Sequence, residues 1–176
     1  GTNLSLSVKD RSFFTDTKLD WKTMKWMNLP TGEVLAAPIE NSLSGRLLCD
    51  MAVGGIGPLK TPVEIVAKEG KALKVASKNN AVLKGIEETF ATDEWSSIVG
   101  EFAFGINPKA RFVEEFLEAE KIYGTVHIAF GDNLDYPGGR NPSKNHMDFL
   151  MSKPSVNITK ANGESAVILV NGRFNI

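Results

Sequence analysis

The sequence contains a single cysteine, Cys49, among its 176 residues. An internal disulfide is therefore excluded, and the scarcity of cysteine favours a reducing compartment such as the cytoplasm. We expect Cys49 to be a small buried hydrophobe rather than a nucleophile, because Leu47, Leu48 and Met51 surround it. No apolar run approaches the roughly 18 residues of a membrane span, and no signal-peptide pattern opens the chain.

An excess of charge of either sign is also missing, since 20 Lys and Arg residues oppose 21 Asp and Glu residues for a net charge of −1. A basic surface for nucleic acid or for an anionic membrane is therefore not expected. For the same reason Trp21 and Trp26, which are interleaved with lysines, are predicted to pack in the core or in loops. The length and the 42% of hydrophobic residues predict one globular domain, residues 1–176.

Alternation of apolar and polar residues is the main secondary-structure signal. It predicts an α+β fold, with a mainly antiparallel curved sheet or partial β-barrel and a few flanking helices. The predicted strands are 3–8, 34–37, 46–53, 98–106 and 125–131, with hairpins over 62–76 and 156–170. One helix is predicted after the cap residue Asn79, and a second over 109–121 with its glutamates facing outward.

Histidine is scarce as well, and one of the two histidines opens an extended segment. His146 is followed by Asp148, and side chains two apart in a strand point to the same face. An imidazole and a carboxylate that converge in this way are typical of half of a divalent-metal site. A half-exposed strand with an ordinary polar face gives the same spacing, so the pair needs support from elsewhere in the chain.

Two other predicted strands place an ionisable residue opposite bulky apolar ones. Glu101 shares its face with Val99 and Ala103, and His127 shares its face with Ala129. A solvent-facing strand more typically carries Lys, Thr or Glu at such positions, so small apolar walls favour a pocket. Charges buried in a pocket need a counter-charge, which a metal ion supplies.

Four short motifs occur in a fixed order along the chain. They are Asn-Leu-Pro-Thr-Gly-Glu-Val at 28–34, Gly-Glu-Phe-Ala-Phe-Gly at 100–105, Val-His-Ile-Ala-Phe-Gly at 126–131 and His-Met-Asp-Phe at 146–149. Together they resemble the thermophilic, aminopeptidase T-like family of metallo-aminopeptidases. The resemblance implies a peptide substrate, a homodimer and two divalent metal ions, commonly zinc or cobalt. The metal ligands that it implies are Glu33, Glu101, His127, His146 and Asp148.

The chain departs from the family pattern in two respects. Members of the family are much longer and carry an N-terminal α/β domain, so the chain is expected to be the C-terminal metal-bearing domain alone. They also usually carry a tyrosine shortly after the histidine of the third motif. The matching position here is Leu134, and Tyr136 follows two residues later. Tyr136 fills this catalytic role only if the loop shifts.

Peptide hydrolysis suggests roles for these side chains. Five ligands around two ions require one bridging carboxylate, for which we favour Glu101. Glu33, at the exit of a Pro-Thr-Gly turn, is expected to be either a ligand or the general base. Asp132 and Asp135 are candidates to bind the free α-amine of a substrate.

Arg140 and Lys144 are candidates to bind a carboxylate or oxyanion, although a solubility role is the commoner one for such residues.

Two alternatives remain open at the level of sequence. His127, His146 and Asp148 alone match the two-histidine, one-carboxylate triad of non-haem iron oxygenases, and the same fold is associated with ring-cleaving dioxygenases that act on dihydroxypyridines. Glu33 and Glu101 argue against that reading, because an iron triad has no need of two more carboxylates. The other alternative is an inactive metal-binding or assembly domain.

Overall fold

Fourteen strands and two helices occur in residues 1–18 and 27–175, which the computed structural model describes. Trp21 and Trp26, predicted to pack in the core or in loops, lie outside the described residues. The strands are β1 Asn3–Ser5, β2 Phe14–Thr15, β3 Glu33–Ala36, β4 Ser44–Cys49, β5 Ala52–Val53, β6 Gly57–Pro58, β7 Val63–Lys68, β8 Lys71–Ser77, β9 Val99–Gly105, β10 Val126–Gly131, β11 His146–Met151, β12 Val156–Thr159, β13 Ser165–Val170 and β14 Arg173–Phe174. The helices are α1 Asn80–Phe90 and α2 Phe116–Ala119.

The strands form three antiparallel sheets. A seven-stranded sheet has the order β2-β3-β9-β10-β11-β5-β6, a four-stranded sheet the order β1-β4-β7-β8, and a three-stranded sheet the order β12-β13-β14. In the described part of the chain none of these sheets closes into a barrel. The structure therefore confirms the predicted α+β fold, and its sheets are open and antiparallel.

The two faces of the seven-stranded sheet have different surroundings because side chains alternate along each strand. One face, with Phe102, Ile128, Phe130 and Phe149, joins the main hydrophobic core together with residues of the four-stranded sheet. The opposite face carries the ionisable residues singled out in the sequence. The core thus fixes which way these polar side chains point.

Helix α1 closes the core at the position that the sequence predicts. The side chain of Asn79 accepts hydrogen bonds from the backbone N–H groups of Ala81 and Val82, which caps the first turn. Ile86 is buried, and the ring of Phe90 contacts the rings of Phe130 and Phe149. The helix therefore covers the apolar face of the sheet, away from the ionisable residues.

The predicted helix over 109–121 is wrong in extent. Only Phe116–Ala119 are helical, and the side chain of Glu115 caps this short helix by accepting a hydrogen bond from the N–H of Leu117. Phe112 and Val113, expected to face inward, are 49% and 37% exposed. The glutamates do not all face outward either, because Glu120 is buried.

Two predicted strands are shorter than expected. The first ends at Ser5, although Leu6 and Val8 still pack against the core. The strand predicted over 46–53 divides into β4 and β5 at Asp50, whose carboxylate accepts hydrogen bonds from the N–H and hydroxyl of Ser152.

Cys49, at the end of β4, is fully buried, as predicted. Its thiol contacts the carbonyl oxygens of Ala52 and Leu150, and burial raises its pKa to about 12. No helix in the described residues is long and apolar enough to cross a membrane.

Candidate metal centre

The register of three neighbouring strands brings Glu101, His127 and Asp148 onto one face of the seven-stranded sheet. Ala129 in β10 is paired with Glu101 of β9 on one side and with Asp148 of β11 on the other. His127, two residues before Ala129, is paired with Ala103. Alanine at these positions leaves space between the polar side chains, as the sequence pattern predicts for a pocket.

Glu33 enters the same face from β3, the neighbour of β9. The carboxylate of Asp16 accepts hydrogen bonds from the backbone N–H groups of Gly32 and Glu33 at 2.9 Å each. Asp16 thus fixes the start of β3 and, with it, the direction of the Glu33 side chain. Nothing in the alternation pattern of the sequence predicts this role of Asp16.

Five side chains of this face and Glu120, which follows α2, form two groups of three, each with ligand atoms within 4.8 Å of one another. The first group is Glu33, Glu120 and His127, and the second is Glu101, His146 and Asp148. All five side chains proposed as ligands from sequence therefore lie together, and Glu120 is added to them. A set of carboxylate oxygens and imidazole nitrogens suits divalent ions such as zinc, cobalt or manganese.

Glu101 lies between the two groups and contacts a histidine of each. Its Oε1 is 3.1 Å from Nε2 of His127, and its Oε2 is 3.2 Å from Nε2 of His146. The side chain is almost fully buried. A carboxylate with one oxygen toward each histidine has the geometry of a bridge between two sites.

The imidazole of His146 is oriented from behind by the backbone. Its Nδ1 donates a hydrogen bond to the carbonyl oxygen of Asp132 at 2.7 Å. This contact assigns the proton to Nδ1 and leaves Nε2 directed at Glu101 and Asp148. Metal-binding histidines are commonly oriented by such a carbonyl contact.

The charges of the cluster control the ionisation of its members. Burial acts to lower the pKa of His127, but the hydrogen bond and charge of Glu101 outweigh it and raise the pKa to about 9. Burial acts to raise the pKa of Glu101, but contacts with His127 and His146 hold it well below its usual value. Contacts with the carboxylates thus favour the protonated form of both imidazoles, so a metal ion would compete with protons for these nitrogens.

A buried polar atom of the first group supports the fit of a metal ion. Oε2 of Glu33 has no hydrogen-bond partner among the described residues, and it lies 3.4 Å from Nε2 of His127. Burial and the charge of Glu101 raise the pKa of Glu33, since each disfavours its carboxylate. A divalent cation beside Oε2 would remove both penalties, so the residues present fit such an ion.

Sequence reasoning missed Glu120 and its neighbour Lys121. Lys121 is fully buried, and its Nζ donates a hydrogen bond to Oε1 of Glu33 at 2.6 Å and another to Oε1 of Glu120. The two residues follow α2, where helical spacing predicts a solvent face. Both residues lie shortly before β10, the strand that carries His127, and this position in the sequence could have indicated that they lie near the site.

Tyr136 reaches the centre from the loop between β10 and β11. Its hydroxyl donates a hydrogen bond to Oε2 of Glu101 at 2.7 Å, and burial raises its pKa well above the usual value. Leu134, at the position that matches the family tyrosine, is 57% exposed. The loop therefore brings Tyr136, rather than Leu134, against the carboxylate of Glu101.

A cavity of about 550 Å³ opens in front of both groups. Phe14, Leu35, Leu117, Leu134 and Pro137 form apolar parts of its wall. The acidic residues of its lining are Asp16, Glu33, Glu101, Glu120, Asp132, Asp135 and Asp148, and among the described lining residues none is Lys or Arg.

Arg140 and Lys144 do not line the cavity and are exposed. Their backbone N–H groups are bonded to Glu40 and Asp93 respectively.

The fold and the site define a metal-binding α+β domain with paired carboxylate and histidine clusters. A sequence model of the thermophilic metalloproteases (M29) matches residues 1–174. The chain therefore belongs to this metalloprotease family, which confirms the resemblance seen in the motifs. No curated protein matches the sequence.

Two solved structures have a similar fold. Wild-type AmpT from Thermus thermophilus superposes with a TM-score of 0.71 at 23% identity, over 85% of this chain and 41% of its own. The 2,5-dihydroxypyridine dioxygenase from Pseudomonas putida KT2440 superposes with a TM-score of 0.70 at 15% identity, over 85% of this chain and 45% of its own. The chain thus spans less than half the length of either protein, and at these identities the likeness concerns the fold alone.

Proposed function

We propose that the chain is the metal-bearing part of an aminopeptidase that removes N-terminal residues from peptides with two divalent metal ions. The observation that carries this proposal is the position of Glu101, which directs one carboxylate oxygen toward a histidine of each three-residue group. Membership in a metalloprotease family supports hydrolysis of a peptide bond as the reaction.

The residues that would hold the ions are Glu33, Glu120 and His127 on one side, and Glu101, His146 and Asp148 on the other. A pair of divalent ions, when bound, supplies Lewis acidity toward the scissile carbonyl and lowers the pKa of water. Glu101 contacts a histidine of each group, which supports the bridging role expected from the sequence.

Two side chains are suited to proton transfer and to charge stabilisation. Glu33 has one oxygen, Oε2, that is not bonded to Lys121, and this oxygen would either bind the ion or, in the alternative role as general base, accept a proton from the attacking water. Tyr136 stays protonated at neutral pH because its pKa is raised, so its hydroxyl can donate to the oxygen that becomes negative in the transition state.

The charge of the cavity favours binding of a peptide by its amino terminus rather than by its carboxy terminus. Seven acidic side chains line it, and among its described lining residues none is a Lys or Arg that would pair with a substrate carboxylate. Asp132 and Asp135 lie on the loop beside His146 and are our candidates to bind the α-amine. The apolar wall of Leu35, Leu117 and Leu134 suits an apolar N-terminal side chain.

The arrangement of the histidines argues against the iron dioxygenase alternative. His127 and His146 belong to different three-residue groups, so neither group contains two histidines and one carboxylate. Glu33 and Glu120 add carboxylates that a facial triad does not use. A homodimer in the cytoplasm, expected from the resemblance and the cysteine content, remains part of the proposal.

The test is a measurement of bound metal together with hydrolysis. The full-length protein, prepared with zinc or cobalt, should bind two ions per chain by elemental mass spectrometry and should release aniline from an aminoacyl-anilide. One ion at saturation would exclude the two-ion form of the proposal. Bound iron with oxygen uptake on a dihydroxypyridine would favour the dioxygenase, and metal binding without hydrolysis would favour an inactive domain.

A further inference from the structure

Lys121 is held rigidly beside the first metal-binding group. Its backbone N–H donates to the carbonyl of Glu118, and its carbonyl oxygen accepts from the N–H of Asn107. The side chain is fully buried, and its ammonium group contacts one oxygen each of Glu33 and Glu120.

These contacts use the same oxygen, Oε1, of both carboxylates. The second oxygen of Glu33 remains directed at His127, with Oε2 at 3.4 Å from Nε2. Each carboxylate therefore has one oxygen left for a cation. With the imidazole of His127, the group offers three donor atoms.

We propose that Lys121 determines the metal preference of this group by limiting Glu33 and Glu120 to one free oxygen each. Three donors of this group, together with the oxygen of Glu101 that faces His127, would make up the four ligands of tetrahedral zinc. Manganese, magnesium and calcium prefer six or more oxygen-rich ligands, which bidentate carboxylates would help to provide. The inference rests on the proposed metal-dependent function and adds a residue that selects the ion.

The second group provides an internal comparison. Among the described residues, the ion pairs of Glu101 and Asp148 are formed with histidines, and none is formed with Lys or Arg. Both oxygens of Asp148 are therefore free of a fixed ammonium group. A change at Lys121 should thus affect the preference of one ion and leave the other unchanged.

The experiment compares the full-length protein with Lys121→Met, which keeps most of the side-chain volume but removes the ammonium group. Lys84→Met is the matched control, because Lys84 lies on the exposed surface of α1. Calorimetry with a competing chelator measures the affinities of both binding positions, first for zinc and then for manganese. In Lys121→Met the ratio of zinc to manganese affinity should fall at least tenfold at one position only.

The ratio of zinc to manganese affinity distinguishes metal selection by Lys121 from a general effect of its charge or of local order. Loss of positive charge alone would strengthen both metals equally, and loss of local order would weaken both equally, so an unchanged ratio overturns the proposal. If wild-type protein binds two ions and hydrolyses peptides but the ratio is unchanged, only the role of Lys121 is refuted. If wild-type protein binds no divalent ion, the proposed function is refuted as well.

A second measurement covers the case in which Lys121→Met does not fold. A crystal structure of zinc-loaded wild-type protein should show Nζ of Lys121 still bonded to Glu33 and Glu120, with one oxygen of each on the zinc ion. Displacement of Lys121, with both oxygens of either carboxylate on the ion, would overturn the proposal.

Discussion

The hydroxyl of Tyr136 donates a hydrogen bond to Oε2 of Glu101 across 2.7 Å. The donor lies in the loop between β10 and β11, and the acceptor lies in β9. Two turns shape this loop, since the N–H of Tyr136 donates to the carbonyl of Asn133 and the N–H of Gly139 donates to the carbonyl of Tyr136. These turns hold Tyr136, two residues after Leu134, beside Glu101.

Tyr136→Phe should lower turnover by about 10²–10³-fold, the usual effect of removing a hydrogen-bond donor to a developing oxyanion. Tyr136 belongs to neither three-residue group, so the metal content should remain at the wild-type value. Steady-state hydrolysis and elemental analysis of the same preparation check both parts. Tyr123→Phe is the matched control, because Tyr123 is 47% exposed. Equal activities of the two variants would remove Tyr136 from the mechanism.

Substitutions of the proposed ligand residues should remove ions selectively. If the chain binds two ions as proposed, His127→Ala should reduce the metal content to one ion, and Asp148→Ala should do the same at the other position. Glu101→Ala should lower both affinities, because Glu101 contacts a histidine of each group. Elemental mass spectrometry after dialysis measures the content, with Lys144→Ala as a control.

His127→Ala should also destabilise the protein in the absence of metal. His127 is 1% exposed, and its loss leaves Glu33 and Glu101 buried without this partner. Breaking a buried charge pair typically costs about 3–5 kcal/mol, which a chemical unfolding curve in chelator resolves. Wild-type stability and wild-type metal content in this variant would refute the assigned centre.

Glu33→Gln distinguishes the hydrolase from the iron dioxygenase. If Glu33 accepts a proton from water, turnover of an aminoacyl-anilide should fall by about 10²–10⁴-fold. Lys121 keeps its contact with Glu120, so the fold should persist, as circular dichroism can verify. In an iron enzyme built on His127, His146 and Asp148, the same variant would retain iron and oxygen uptake. Glu88→Gln, on the exposed side of α1, is the control.

Asp93 should contribute a pH-dependent part of the stability. The N–H of Lys144, with further donors that include Ser96 and Ser143, lowers its pKa from 3.8 to about 2. A lowered pKa stabilises the folded state above the ordinary value, and this contribution is lost as the pH falls from about 4 to about 2. The melting temperature of Asp93→Asn should therefore lie below that of wild type at pH 6, and the difference should shrink toward pH 2.

The exposed neighbour Glu94 supplies the control for this series, since Glu94→Gln removes a carboxylate without these hydrogen bonds. A gap between wild type and Asp93→Asn that is constant from pH 6 to pH 2 would contradict the assignment.

The alternation of apolar and polar residues along the strands was sufficient to predict much of the candidate metal centre. Glu101, His127 and Asp148 stand opposite large apolar residues, so the face on which they lie follows from the burial of Phe102, Ile128 and Phe149. The same two-residue period predicted the bounds of β9, of β10 and of the hairpin strands to within one or two residues. These features depend on local periodicity and on one buried face, both of which can be read along the chain.

Features that depend on contacts distant in sequence were not predicted. Helical spacing placed Glu120 on a solvent face, whereas its burial depends on Lys121 and on Glu33, which is far away in the sequence. The spacing of Phe112 and Val113 resembled an inward helix face, but in the structure these side chains are exposed. Periodicity alone cannot reveal which apolar or charged positions find a partner in the folded chain.

The pairing of Ala129 with Glu101 and with Asp148 has a consequence for the folding kinetics of the protein. If β11 slipped by one residue against β10, Met147 and Phe149 would replace His146 and Asp148 on the site face. The complete donor set therefore exists only once the final strand register has formed. We expect this register to form after the transition state for folding, so that divalent ions slow unfolding much more than they accelerate folding.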